Sequence, residues 1–576
     1  MEPATIAALL RELAVYYELD GDRHRAFAYD RAAKVVEAAN GLHRLIDEGR
    51  LEELPGIGPS IARVIAELAR RGTVAVLERL RDHWPPIVIE LAQLPKVGVP
   101  KARKIFQALA PANLDAVAAM CRAGAIRELP GFGKISEQKI LQAIEDRRLL
   151  GARILLLDAE DHAASLAHHL RGDPAITAVE ICGPVRRSCE VIDHLAYAVA
   201  AEHRGAVIDR LRAFALVTSI EDRTGDHAEA DAGPPPTVDP GGPITGYLAG
   251  GLRAEVHVAP RAKLGWAQII ATGSREHVAL LTARAAARGM NLDILEAADE
   301  PHVYRALGLP WIPPEVRDGT DEVTAALAGD AFTDLVTLDD VTTAFHCHTT
   351  YSDGKASIAE MAHAAAELGF RGITITDHSA AATYANGLGA DQLRAQHAEI
   401  AGLVDPEVRI LHGTEADILP DGEIDVPPEL IGELDVIIAS IHQRHHLDQD
   451  AMTHRLVTAM RQPFFKIWGH ALGRLVLRRD PIDVRLDEVL DAVAESPAAI
   501  EINGDPYRLD LDPVSARKAV ARGIKFVLSC DAHSPRALGM VRFAVAMARK
   551  ARIRKRDVLN TLPPDELAAA IRPRPR

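Results

Sequence analysis

Seven short apolar runs between residues 341 and 576 each end in polar, metal-seeking side chains. This pattern restricts the fold of the carboxyl half more than any other feature. In order they are "AFHCHTTYSD" (344–353), "GITITDHS" (372–379), "RILHGTEADI" (409–418), "DVIIASIHQRH" (435–445), "FFKIWGHALGR" (464–474), "AAIEINGDP" (498–506) and "KFVLSCDAHS" (525–534). Helix-forming stretches separate them. Strands alternating with helices make a parallel sheet, and a parallel barrel gathers the carboxyl ends of its strands on one face, where its chemistry sits. The polar ends of the seven runs are therefore expected together.

The residue types on that face select metal chemistry. In "HCH" a period of two points His346 and His348 to the same side, and "DAH" does the same for Asp531 and His533. Neutral imidazoles with carboxylates suit Mn²⁺, Zn²⁺ or Fe²⁺. So many ligands exceed what a closed tetrahedral structural zinc site uses. His445, His446 and Cys530 adjoin these residues without fitting the ligand pattern. Arg474, just after His470, is a candidate phosphate contact.

The first 150 residues are helical in pattern, with Ile6, Leu9, Leu10, Leu13 and Tyr17 at helix spacing. One phrase recurs there three times: "LPGIGPSIA" (54–62), "LPKVGVPKARKI" (94–105) and "LPGFGKISEQKI" (129–140). A proline turn, a glycine and a helix start with free N–H groups make a place for a phosphate. Gly56, Gly58, Gly98, Gly131 and Gly133, with Lys101, Lys104 and Lys134, are therefore the candidate contacts to a DNA backbone. A net charge of −15 argues against coating DNA by charge alone, but residues 1–150 carry 22 Lys+Arg against 20 Asp+Glu. DNA docking is expected to be local and amino-terminal.

No apolar run approaches the roughly 20 residues a membrane span needs. The amino terminus lacks the order of a signal peptide, and the five cysteines form no CxxC pair. A cytoplasmic, nucleoid-associated protein without structural disulfides is expected.

The motifs "HCHTTYSDG", "TDHS", "GTEADI", "SIH", "GH...GR", "EIN" and "DAHS" resemble the PHP (polymerase and histidinol phosphatase) domain over 341–576. The resemblance implies a distorted (β/α)7 barrel holding three metals through His346, His348, Asp353, His378, Glu415, His442, His470, Asp531 and His533. It implies that Glu415 bridges two metals, one also held by His346, His348 and Asp531, the other by His442 and His470. Asp353, His378 and His533 would hold the third.

Helical hairpins, "CGPVRRSCEVIDHLAYAVAAE" and "TGSREH" ahead of such a domain resemble bacterial family X DNA polymerases. The implied organisation is multidomain. Residues 1–85 and 86–150 are all-α helix-hairpin-helix regions, and 151–262 is an α/β nucleotidyltransferase-like palm with a loop at 221–246. Residues 263–325 form a thumb, 326–340 a linker and 341–576 the PHP barrel. That family's palm reads Gly-Ser, two arginines, then Gly-Asp-x-Asp, with a third Asp on a neighbouring strand.

Here Pro184 follows the glycine, Arg186 and Arg187 remain, the paired aspartates fall on His194 and Ala196, and the third falls on Glu255. Asp193 is one residue out of register and should face the other way. Mg²⁺ is therefore not expected at the palm. Val64 occupies the position of the family's Schiff-base lysine, which argues against lyase activity.

The expected function is hydrolysis of DNA phosphodiesters by the PHP domain, as a 3'-5' exonuclease with 3'-phosphatase or abasic-site cleavage as companions. DNA with gaps or 3' ends is the expected partner, with nucleotide at the palm and the chain a monomer. Three readings stay open beside it: a gap-filling polymerase with proofreading, a phosphatase of small phosphomonoesters, and a DNA-binding scaffold without catalysis.

Overall fold

Helix spacing in the amino-terminal region is realised in the computed structural model, which describes residues 3–39, 42–94, 97–150, 153–222, 242–248, 251–404 and 406–574. The chain divides into two units, one of Met1–Arg186 with Val191–Trp311, the other of Arg187–Glu190 with Ile312–Arg576.

In the first unit, helix Pro3–Asp20 buries Ile6, Leu9, Leu10, Leu13 and Tyr17 along one stripe. Tyr17 stacks on Tyr29 of helix Arg23–Ala38 with ring centroids 5.3 Å apart. The three repeated phrases each open a helix: Pro59–Arg71, Gly98–Leu109 and Lys134–Leu150. Gly56, Gly98 and Gly131 have φ of +83°, +66° and +88°, so these turns require glycine.

The palm is a five-stranded sheet of β1 (Ile176–Cys182), β2 (His194–Ala201), β3 (Val217–Glu221), β4 (Ile244–Leu248) and β5 (Arg253–Ala259), ordered β1-β2-β5-β4-β3. β2 and β5 run parallel, and the other pairs are antiparallel. Helix Leu264–Thr272 begins the thumb and buries Trp266 and Ile269. Most of the 221–246 loop lies outside the described residues.

In the second unit the seven apolar runs form β6 (Thr343–Cys347), β7 (Gly372–Ile375), β8 (Arg409–Asp417), β9 (Val436–Ser440), β10 (Lys466–Trp468), β11 (Ala498–Asn503) and β12 (Lys525–Ser529). They pair in chain order, all parallel. A bridge between Cys347 and Ala532 brings the two edges together, with the Ala532 N–H donating to the His346 carbonyl at 2.9 Å.

Phe345, Leu411, Val436, Ile438, Ile467, Ala499 and Val527 fill the barrel, closed at one end by Leu567 and Ile571 of helix Pro564–Ile571. Helices cover the outside, so both faces of each strand are buried. The runs accordingly read as continuous apolar stretches rather than alternating ones. At Gly413 on β8 a Cβ would stand 2.3 Å from the Val436 side chain, so this strand contact admits only glycine.

Two expected boundaries are corrected. The second unit begins at Ile312, and the stretch 326–340 is not a linker: Phe332, Leu335 and Val336 are buried within the unit, and Arg554 pairs with Asp330 and Asp334. Residues 187–190, read as palm, also belong to this unit, because Glu190 pairs with Arg474 and the Arg187 carbonyl faces Lys550.

Lys466 on β10 is fully buried and donates to the carbonyls of Gln462 and Phe464. Burial pulls its pKa from 10.5 down to about 7. Between these values the unfolded chain binds a proton that the folded chain does not, so stability rises with pH across the window. Lys466→Met should abolish that rise, checked by urea midpoints of both proteins at about pH 7 and about pH 9.5.

Candidate metal centre

The strand ends of the barrel bring all nine expected ligands into one connected cluster around Glu415. The Glu415 carboxylate lies 2.9 Å from His470 Nε2, 3.2 Å from His442 Nε2, 3.3 Å from His346 Nε2 and 3.0 Å from His378 Nδ1. His348 Nε2 is 3.3 Å from Asp531, and Asp353 is 3.3 Å from His533 Nε2 and 3.7 Å from His378 Nε2.

Three sets have ligand atoms within 4.8 Å of one another: His346, His348 and Glu415; His378, Glu415 and His442; and His348, Asp353, His378 and His533. They overlap through Glu415, His348 and His378. Asp531 adjoins the first set, and His470 adjoins the carboxylate shared by the first two.

Backbone conformation creates this convergence as much as strand alternation does. His346, His470 and Asp531 have φ of +62°, +25° and +49°. Such strain in non-glycine residues persists only where the surroundings enforce it. The pairing of β6 with β7 slips between Ala344 and Cys347. His346 and His348 therefore reach Glu415 from a distorted strand end, not from the regular alternation expected.

The donors fit divalent metals. Among the described residues, His346 Nε2 and both ring nitrogens of His348 are buried without a hydrogen-bond partner, an arrangement that costs free energy unless another group takes the lone pairs. Burial pushes the Glu415 carboxyl up, but His442, His346 and His378 together hold it well below the usual range. Burial likewise opposes ionisation of Asp531, and His346, His348 and Arg508 outweigh it. Burial, with His533 and His378 beside it, brings His348 down to about 4, so this imidazole is neutral and ready to donate. Burial works against charge on His442 too, yet Glu415 and Asp417 lift it to about 9.

Two carboxylates that orient ligands are absent from the sequence expectations. His346 Nδ1 donates to Glu501 at 2.5 Å, and His442 Nδ1 donates to Asp417 at 2.5 Å. Each contact fixes a tautomer with Nε2 facing the cluster. Glu501 also accepts from the His470 backbone N–H. A charged residue in the middle of the apolar run "AAIEIN" was the available signal.

Arg474 is corrected as a phosphate contact. Its guanidinium is taken by Glu190 and by the Leu509 carbonyl. Arg508 instead stands 3.2 Å from Asp531 with 19% of its side chain exposed.

At the palm, β2 and β5 pair His194 with Arg253 and Ala196 with Glu255. Asp193 accepts from His194 Nδ1 at 2.7 Å, and His194 Nε2 lies 4.0 Å from Glu255. Pro184 is buried, Arg186 is held by Glu300 at 2.6 and 2.9 Å, and Arg187 lies 3.9 Å from Asp318. In the hairpins, positions Gly58 and Gly133 face open space, while the Lys104 ammonium lies over Gly131. Lys134 is the first residue of its helix, and Lys101 sits in the first turn of Gly98–Leu109.

Residues 1–74 match the helix-hairpin-helix domain, 88–146 the SAM-like helix-hairpin-helix tandem, 267–318 the DNA polymerase beta thumb and 344–505 the PHP domain. The DNA polymerase/3'-5' exonuclease PolX of Bacillus subtilis is 30% identical over 97% of each chain. The chain belongs to the bacterial family X polymerases with a carboxyl-terminal PHP domain.

Within this family X chain, the barrel alone is also similar to smaller proteins. A probable phosphatase of Caldanaerobacter subterraneus is 30% identical over 38% of this chain and 85% of its own. One of Thermoanaerobacter sp. is 31% identical over 38% and 89%. The PHP relatives support a hydrolase, and the hairpin and thumb domains imply DNA binding. Among the described residues no helix is long and apolar enough to cross a membrane.

Proposed function

We propose that this family X protein is a DNA-repair 3'-5' exonuclease whose PHP barrel hydrolyses phosphodiesters and whose palm holds DNA without polymerising. The ligand cluster around Glu415, together with His194 and Ala196 at the palm's paired carboxylate positions, carries this reading. Two-metal nucleotidyl transfer requires carboxylates to hold Mg²⁺, and alanine offers none. The Arg186–Glu300 pair further supports a palm in which that arginine is structural.

Divalent metals bound in the barrel would lower the pKa of a water and neutralise charge on a phosphoester. His346, His348, Glu415 and Asp531 would hold one, Glu415, His442 and His470 a second, and Asp353, His378 and His533 a third. Mn²⁺, Zn²⁺ and Fe²⁺ all suit this donor set. Glu501 and Asp417 keep two imidazoles oriented, and Arg508 supplies a guanidinium for a phosphate oxygen. The open hairpin turns at Gly58 and Gly133 receive DNA backbone phosphates at helix starts.

One 5'-labelled gapped duplex with Mn²⁺ and all four dNTPs tests the proposal against wild type and a His346→Ala, His348→Ala variant. Wild type should shorten the strand, and the variant should neither shorten nor lengthen it. Lengthening by the variant would overturn the inactive palm. A small-molecule phosphatase is favoured by the phosphatase names of the barrel's relatives. Under that reading histidinol phosphate would be turned over while the duplex stayed intact.

A further inference from the structure

Beside the metal cluster lies a cavity of about 500 Å³ lined by Arg444, His445, His446, Leu447 and Arg479. Among the described residues no acidic side chain lines it, although the whole chain carries a net charge of −15. Its position is set by the turn that carries His470. The Gly473 N–H donates to the His470 carbonyl at 2.8 Å, and the Arg479 Nε–H donates to the Gly473 carbonyl at 2.9 Å. The His445 ring stands 3.2 Å from where a Gly473 Cβ would be. His445 follows His442 by three residues and packs on the turn that carries His470, so the cavity borders two residues of the candidate metal centre. Arg444 and His446 are exposed and form no ion pair among the described residues.

We infer that this cavity is a subsite for a second phosphate of the substrate strand, the one next to the phosphate being hydrolysed. The inference rests on the exonuclease reading and names what separates its substrate from a small phosphomonoester. Two guanidiniums with no carboxylate among the lining residues form a site for an anion, the imidazoles add ring N–H groups, and arginine matches phosphate oxygens in fork geometry. The volume admits a nucleotide unit rather than a bare ion. Tyr384, 60% exposed, meets His378 and His442 edge-on with centroids 6.0 and 6.2 Å away, offering a ring to a base.

The test compares a thymidine dinucleotide, which has one phosphodiester, with the trinucleotide, which has two. The full chain with Mn²⁺ and an Arg444→Gln, His446→Gln variant are assayed on both. Wild type should prefer the trinucleotide. In the variant the trinucleotide-to-dinucleotide ratio of kcat/KM should fall about tenfold, the weight of one lost charge-assisted hydrogen bond.

The salt dependence of trinucleotide KM should also flatten, by about one phosphate contact. A ratio that survives in the variant, or that is already near one in the wild type, overturns the subsite and leaves the exonuclease standing. A wild type that cleaves neither oligomer, nor the strand of the gapped duplex, overturns both.

Discussion

Glu415→Gln should lower the hydrolytic kcat by about 10³-fold or more, because under the proposed function several kcal/mol of charge stabilisation would depend on metals that this carboxylate would hold. The effect is larger than for any single imidazole, since Glu415 alone touches His346, His378, His442 and His470. The amide keeps the shape and loses the charge, so the buried imidazoles lose the group that now offsets their desolvation. Metal content of the purified protein, measured beside kcat, should fall in parallel. Full metal content with full activity would show that the neighbouring carboxylates Asp353 and Asp531 suffice.

Glu501→Gln should cost roughly 10- to 100-fold in metal affinity or activity, the usual effect of removing a carboxylate behind a ligand histidine. Glu501 accepts from His346 Nδ1 and from the His470 backbone N–H, so it orients two ligands from different strands. It is a positioning residue. Raising Mn²⁺ concentration should restore most of the activity of Glu501→Gln and little of that of Glu415→Gln. Titrating Mn²⁺ against rate for both variants distinguishes orientation from coordination, and equal rescue would place Glu501 among the ligands.

The polar ends of the apolar runs were legible from sequence because short apolar runs between helical stretches read as buried strands, and the PHP resemblance named His346, Glu415, His442, His470 and Asp531 among them as ligands. Strand order then places the ends on one face without further information. The three hairpin turns were legible for a similar local reason: Gly56, Gly98 and Gly131 occupy left-handed φ, and only glycine does so at little cost. Glu501 and Asp417 were not, since a carboxylate that hydrogen-bonds a ligand from another strand has no spacing signature. Arg474 follows His470 in sequence, yet its guanidinium is spent on Glu190, a partner 284 residues away.

Periodicity and repeated motifs therefore determined the helical hairpins and the parallel barrel with its metal-seeking strand ends, because those depend on which residues are buried and on local backbone preference, while the palm and thumb entered through the family resemblance. Tertiary structure alone decided that 187–190 and 312–340 join the barrel's unit, that Arg508 and not Arg474 stands beside Asp531, and that Arg444 and Arg479 face one cavity. Each of these depends on side-chain charges brought close by folding, and Coulomb and hydrogen-bond energies are set by distance in space, which sequence separation does not encode.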